Sequence, residues 1–215
     1  MTSRLPATMR QIGVATRALI VFTIGLGVIY PLAMTGVAQV LFHGNANGSV
    51  IQVNGKDVAS DLIGQAYTEQ ATKDGKPEVD ADGKPVMVAD PLWFQTRPSA
   101  VDYDAMGSGA SQYGPNNDEL LAAIQQRRKA VADLEGVDPA QVPPDALTAS
   151  GSGLDPQISP AYAALQINRV ARERGLGVAE VRQLVKENTS GRTLGFLGEP
   201  TVNVVTLNAD LAALS

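Results

Sequence analysis

The sequence predicts a single N-terminal transmembrane helix followed by an α+β extracytoplasmic domain. Three observations carry this reading. Residues 18–42 form a run of 25 positions without a charged side chain. Arg4, Arg10 and Arg17 are the only charged side chains before Lys56. Beyond the run, turn dipeptides and short β-type stretches come first, and helical apolar periodicity dominates the C-terminal half.

As a helix, the 25-residue run is about 37 Å long at roughly 1.5 Å per residue, enough to cross a hydrocarbon core of roughly 30 Å. Gly25, Gly27, Pro31 and Gly36 interrupt its Val/Ile/Leu pattern. In lipid such small residues let helices approach closely, so they are candidates for a packing face against a partner helix. A cleavable signal peptide is the rival reading, and Gly36-Val37-Ala38 offers small residues for cleavage. The apolar run is longer than the roughly 7–15 residues of a signal core, which favours a retained anchor. Three arginines and no acid before the span place residues 1–17 in the cytoplasm by the positive-inside rule. The division is then a cytoplasmic 1–17, a transmembrane 18–42 and an extracytoplasmic 43–215 in a plasma (inner) membrane.

In the remainder, Asn45 to Ser49 reads as an exit loop. Residues 49–53 and 56–58, joined by Asn54-Gly55, read as a hairpin with a type I′ turn. A polar excursion follows, with the near-repeat Asp74-Gly75-Lys76-Pro77 and Asp82-Gly83-Lys84-Pro85, read as a second hairpin. After Trp93-Phe94 and a Gly/Ser/Asn-rich loop at 106–117, a helix is expected with Leu120, Leu121, Ile124 and Val131 inward and Gln125, Gln126, Arg127 and Arg128 outward. Asn116 or Asn117 caps it. Residues 136–145 are a Pro-rich connector. Ser159 as N-cap and Pro160 at the first helical position open a helix to about Arg174, ended by Gly175. A further helix spans 178–187, with Val181, Leu184 and Val185 inward. Residues 202–207 read as a strand, and Asn208 as the cap of a short last helix.

Composition excludes several chemistries. Net charge is −5, and removing the three leading arginines from 17 basic residues leaves 14 against 22 acids, a balance of −8. No basic nucleic-acid face is expected from that balance. Without cysteine there is no disulfide, thiolate metal site or cysteine nucleophile. The sole histidine, His43, stands at the membrane exit, which disfavours a Ser-His-Asp arrangement with either small-residue loop. Gly55-Lys56, Gly75-Lys76 and Gly83-Lys84 lack the Ser or Thr of a phosphate loop. No calcium-loop spacing is present. Asp155 and Glu199 would suit an acid pair for sugar chemistry only if the fold joined them.

The ordered set of short motifs is more informative than any one of them. It runs from Tyr30-Pro31-Leu32 and Ala46-Asn47-Gly48-Ser49 through Leu62-Ile63-Gly64-Gln65, Trp93-Phe94 and Arg97-Pro98-Ser99-Ala100. It continues with Ser108-Gly109-Ala110-Ser111, Leu147-Thr148-Ala149-Ser150, Ser152-Gly153-Leu154-Asp155 and Ile158-Ser159-Pro160. It closes with Arg169-Val170-Ala171, Gly198-Glu199-Pro200 and Val202-Asn203-Val204. This set resembles the KdpC family, the C subunit of the bacterial Kdp potassium-transporting P-type ATPase, over nearly the whole chain. Three departures stand out: the 74–85 excursion, Gln157 where many members carry histidine, and Gly177 where a capping Ser or Asp is common.

The resemblance implies an accessory subunit without a catalytic centre or bound cofactor of its own. Its partners are a pore-forming potassium-translocating subunit, a P-type ATPase subunit and a small membrane subunit, in a complex that uses ATP and magnesium to import potassium. The family's C subunit is described as an assembly factor and as a catalytic chaperone raising ATP affinity of the ATPase subunit. The alternative function is a membrane-tethered solute-binding or cell-envelope protein. Candidate partner-facing residues are Gly25, Gly27, Pro31 and Gly36 in the span, and Arg97, Ser108, Gly109, Ser111, Ser150, Ser152, Gly153 and Asp155 beyond it.

Overall fold

The structure, a computed structural model, describes residues 6–53, 55–73 and 75–214. The chain divides into two units, Met1–Ser49 and Val50–Ser215.

The first unit is a long apolar helix, Ala7–Leu41, of 35 residues, with none of its 18-residue apolar window buried. It comprises α1 (Ala7–Ile24), a π-helical stretch (Gly25–Ile29) and α2 (Tyr30–Leu41). Helix therefore begins at Ala7, ahead of the uncharged run at Ala18, and carries Arg10 and Arg17 within it. Phe42, expected at the end of the span, leaves helical geometry at φ −136°. The widened turn has a local cause. Pro31 cannot donate to the carbonyl four residues back, and its ring crowds that turn, so the coil loosens just before it. The expected exit loop is partly helical: α3 (His43–Ala46) follows directly. Asn47 fastens it, donating from Nδ2 to the His43 carbonyl at 2.7 Å and exchanging amide hydrogen bonds with Gln39.

The second unit opens with β1 (Val50–Val53) and β2 (Lys56–Ser60), an antiparallel hairpin with Val53 opposite Lys56. Gly55 takes φ +74°, as the turn requires; Asn54 lies outside the described residues. The polar excursion folds as nested hairpins. Its base is β3 (Thr68–Gln70) with β6 (Met87–Ala89), and its middle is β4 (Thr72–Lys73) with β5 (Lys76–Pro77). Asp74 also lies outside the described residues.

Helices then dominate. In α4 (Asp118–Glu135) the Asn117 side chain accepts from the Leu120 amide. Ile124 and Val131 pack on the core as expected, but Leu121 is half exposed, and Arg127 is half-buried with Nη1 on the Leu147 carbonyl. The connector contains two 3-10 turns, each started by proline. β7 (Gln157–Ile158) leads into α5 (Pro160–Arg174), with Ser159 Oγ accepting from Tyr162 N and Gly175 closing it, as the sequence indicates. α6 (Val178–Glu187) buries Val181 and Val185.

The expected strand at 202–207 is corrected by the structure. β8 (Thr189–Ser190) pairs with β9 (Thr201–Asn203), which also pairs with β7, but helix α7 begins at Val204 and runs to Ala212. The Asn203 side chain accepts from the amides of Val205 and Thr206, so cap chemistry at one residue overrides the β preference of the valines. Val204, Leu207, Asn208 and Leu211 are buried at helical spacing. Asn208 is thus a buried helix-interior residue, not a cap. The core joins α4, α5, α6, α7 and the three-stranded sheet around Phe94, Ile158, Ile167, Val170 and Val202.

Candidate functional site

The site begins with the extended segment around Trp93, Phe94 and Gln95. Among the described residues no strand pairs with it, yet buried backbone groups need partners. Side-chain amides supply them. Asn208 on α7 accepts from Phe94 N and donates to Phe94 O, both at 3.0 Å. Gln166 on α5 accepts from Gln95 N at 2.6 Å and donates to Gln95 O at 3.2 Å. Arg169, 1% exposed, donates to the carbonyls of Pro91 and Trp93, to Gln166 Oε1 and, from Nε, to Glu135 Oε1 at 3.0 Å. The Glu135 side chain is equally buried, and burial pushes its carboxyl above the ordinary range although Arg169 opposes the shift. The sequence reading places Arg169 only within the motif set and Asn208 only as a cap; the clamping role of Asn208, Gln166 and Arg169 escaped it. The available signal was Gln166 and Arg169 on the same helical face as Tyr162, Ala163 and Val170.

That clamp fixes where the next loop starts, and the small-residue loops close upon it. Arg97 bridges to Asp155 at 3.3 Å and donates to the Thr148 carbonyl. Ser99 Oγ donates to Gly153 O at 2.7 Å while accepting from the amides of Val101 and Tyr103. Tyr103 donates its hydroxyl to Arg97 O at 2.8 Å, and burial raises this phenol, keeping it a donor. Gly109 N donates to Ser152 O at 2.8 Å, and Ser108 Oγ reaches the same carbonyl at 3.1 Å. Ser150 Oγ accepts from Gly153 N, and Ser152 Oγ from Leu154 N. Gly64 N donates to Leu154 O, so a third segment joins.

Of the expected residues beyond the span, Arg97, Ser108, Gly109, Ser150, Ser152, Gly153 and Asp155 therefore meet in one knot. Ser111 does not: it is exposed and makes no hydrogen bond among the described residues. Gly64, Ser99, Val101 and Tyr103 belong to the knot as well. In the separate helical unit, a Cβ on Gly25 or Gly36 would meet no described atom within 4 Å, and one on Gly27 only Thr23 at 3.9 Å. Glu199, which would make an acid pair with Asp155 only if the fold joined them, pairs with Arg192 at 2.6 Å.

Beside the knot lies a cleft of about 280 Å³, walled by Tyr67, Arg97, Tyr103, Arg127, Val131 and Tyr162. Among the described residues no group of three or more histidine or carboxylate side chains is placed to hold a metal ion. The knot's hydroxyls are spent on backbone partners, an arrangement that fixes loop shape.

A family model described as "KdpC: K+-transporting ATPase, c chain" matches residues 12–213. The chain belongs to the KdpC family. It is 46% identical to a protein of Kineococcus radiotolerans over 98% of this chain and 97% of that one. A Streptomyces avermitilis protein is 44% identical over 100% and 98%, and one from Methylococcus capsulatus 46% over 91% and 94%. All three are named potassium-transporting ATPase KdpC subunits. KdpC membership thus extends over the apolar helix and the whole α+β unit, knot included.

Proposed function

We propose that this chain is the non-catalytic accessory subunit of an ATP-driven, high-affinity potassium importer, anchored by its N-terminal helix with the α+β unit outside the cytoplasm. The observation that carries the reading is the knot. Hydroxyls committed to backbone contacts suit a rigid surface offered to other subunits, not a nucleophile in waiting. Kinship with potassium-transporting ATPase subunits over nearly the full chain supplies the setting. Arg4, Arg10 and Arg17 before the span favour a cytoplasmic N-terminus.

In this reading the partners are a pore-forming potassium-translocating subunit, a P-type ATPase subunit and a small membrane subunit. ATP and magnesium act on the ATPase subunit. An extracytoplasmic domain cannot touch cytoplasmic nucleotide, so any rise in ATP affinity passes through the membrane-embedded subunits. The chain's own task is assembly or gating near the pore entrance.

The test is made in cells lacking the chain and limited for potassium. The full chain restores growth, and a C-terminal reporter that is active only outside the cytoplasm reads positive. With labelled ATP, the phosphoenzyme maps to the ATPase subunit. A reporter active only in the cytoplasm, or a phosphoaspartate on this chain, overturns the assignment.

A further inference from the structure

Between β8 and β9 the chain makes a ten-residue turn, 191–200, in which every residue is exposed. Leu194 is 80% exposed, Phe196 68% and Leu197 50%. Single exposed apolar residues need no explanation, but three within four positions of one turn form a patch.

The turn is held in a fixed shape. Thr193 and Leu197 exchange backbone hydrogen bonds, Thr193 N to Leu197 O at 2.9 Å and Leu197 N to Thr193 O at 3.0 Å. Gly195 N donates to Arg192 O at 3.0 Å. Arg192 and Glu199 close its neck through a 2.6 Å ion pair. Its legs are the β8–β9 ladder, whose Val202 is fully buried. At the tip Leu194 takes φ +55°, an uncommon conformation for a residue with a branched side chain, next to Gly195 at +82°. Strain accepted at an exposed apolar tip points to a use for that shape.

We propose that this turn is a docking knob that seats in an apolar, uncharged groove on another subunit of the pump. The inference rests on the pump reading above and adds a contact surface to it. Charge decides between protein and lipid. Arg192 and Glu199 are the only charged residues of the turn, and they neutralise each other. No cation is left for anionic headgroups, the usual partner of apolar side chains at a bilayer surface. A bilayer also gains nothing from a prearranged shape, whereas a complementary groove gains affinity because no ordering cost remains.

The chain has no cysteine, so one introduced cysteine is a unique reporter. Thr193→Cys keeps all three apolar side chains, and Phe196→Cys reports from within the patch. Each full-length variant is expressed alone or with the other pump subunits, and open membranes are treated with a water-soluble maleimide. Labelling is expected to be fast for the chain alone and slower by about tenfold or more in the assembled pump, as burial in a desolvated pocket requires. Phe196→Asp, still in the membrane, is expected to recover fewer pump subunits on purification. Equal labelling in both settings overturns the knob. Equal protection in both does so too, because lipid or a second copy then covers it. If the unmodified chain recovers no pump subunits at all, the pump reading itself fails.

Discussion

Gly153 stands where three loop segments meet, at φ +71°. A Cβ there would lie 2.6 Å from Val101 Cγ2 and 2.8 Å from Gly109 O. Backbone strain and collision act together, so Gly153→Val is expected to cost about 2 kcal/mol or more. Gly109 has no positive φ, and its added Cβ would meet only Val101 Cγ1, at 3.2 Å. Gly109→Val is therefore the milder change. Ser108→Ala and Ser152→Ala each remove one hydrogen bond at an exposed position, a loss of roughly 0.5–1.5 kcal/mol at most. Thermal melts of the full chain in detergent, with potassium-limited growth, should rank the four in that order. Alanine variants that assemble fully yet fail to transport would mean that the hydroxyls do chemistry. The sequence marked these loops by their small residues. It could not show that Gly153 rests on Gly109 and Ser99, because those contacts join positions 44 or more apart in the chain.

At the scale of elements, the same contrast between local and distant information recurs. The termini of α5 and α6 were legible because Ser159-Pro160, Gly175 and the apolar spacing act within a few residues. The strand expected at 202–207 failed because the Asn203 cap outweighs side-chain preference. The clamp on Phe94 was invisible because Asn208 lies 114 positions away. Asn208→Ala strands two buried backbone groups, each worth about 1–3 kcal/mol, so it should destabilise the chain far more than an exposed asparagine would. Glu135→Leu leaves the Arg169 guanidinium buried beside an apolar group, an expected cost of about 3–5 kcal/mol. Its pH dependence follows from the raised carboxyl. Between the unfolded and the higher folded pKa, the native chain keeps a proton that the unfolded chain has lost. The associated stability is full below the unfolded value and is lost as pH rises through the folded one. Denaturation of the chain and of Glu135→Gln across that interval should diverge, with the parent losing stability relative to the variant as pH rises.

For the whole molecule, the question is whether the anchor only tethers or also packs. Tethering holds a domain at millimolar effective concentration near its partners, so its loss weakens association by roughly 10²–10⁴-fold without changing any contact. A chain lacking residues 1–42 should therefore leave the membrane fraction and fail to restore potassium-limited growth. Replacing those residues with an unrelated apolar span of the same orientation separates the two roles. The native helix places its π-helical stretch at Gly25–Ile29, immediately before Tyr30 and Pro31, and neither Gly25 nor Gly36 has a described neighbour within 4 Å of an added Cβ. Close helix contact would use that open space. Gly25→Leu and Gly36→Leu are thus expected to leave the chain in the membrane at normal levels while lowering the pump subunits recovered with it. Normal recovery with both leucines, and full growth with the unrelated span, would reduce the anchor to a tether and leave assembly to the α+β unit alone.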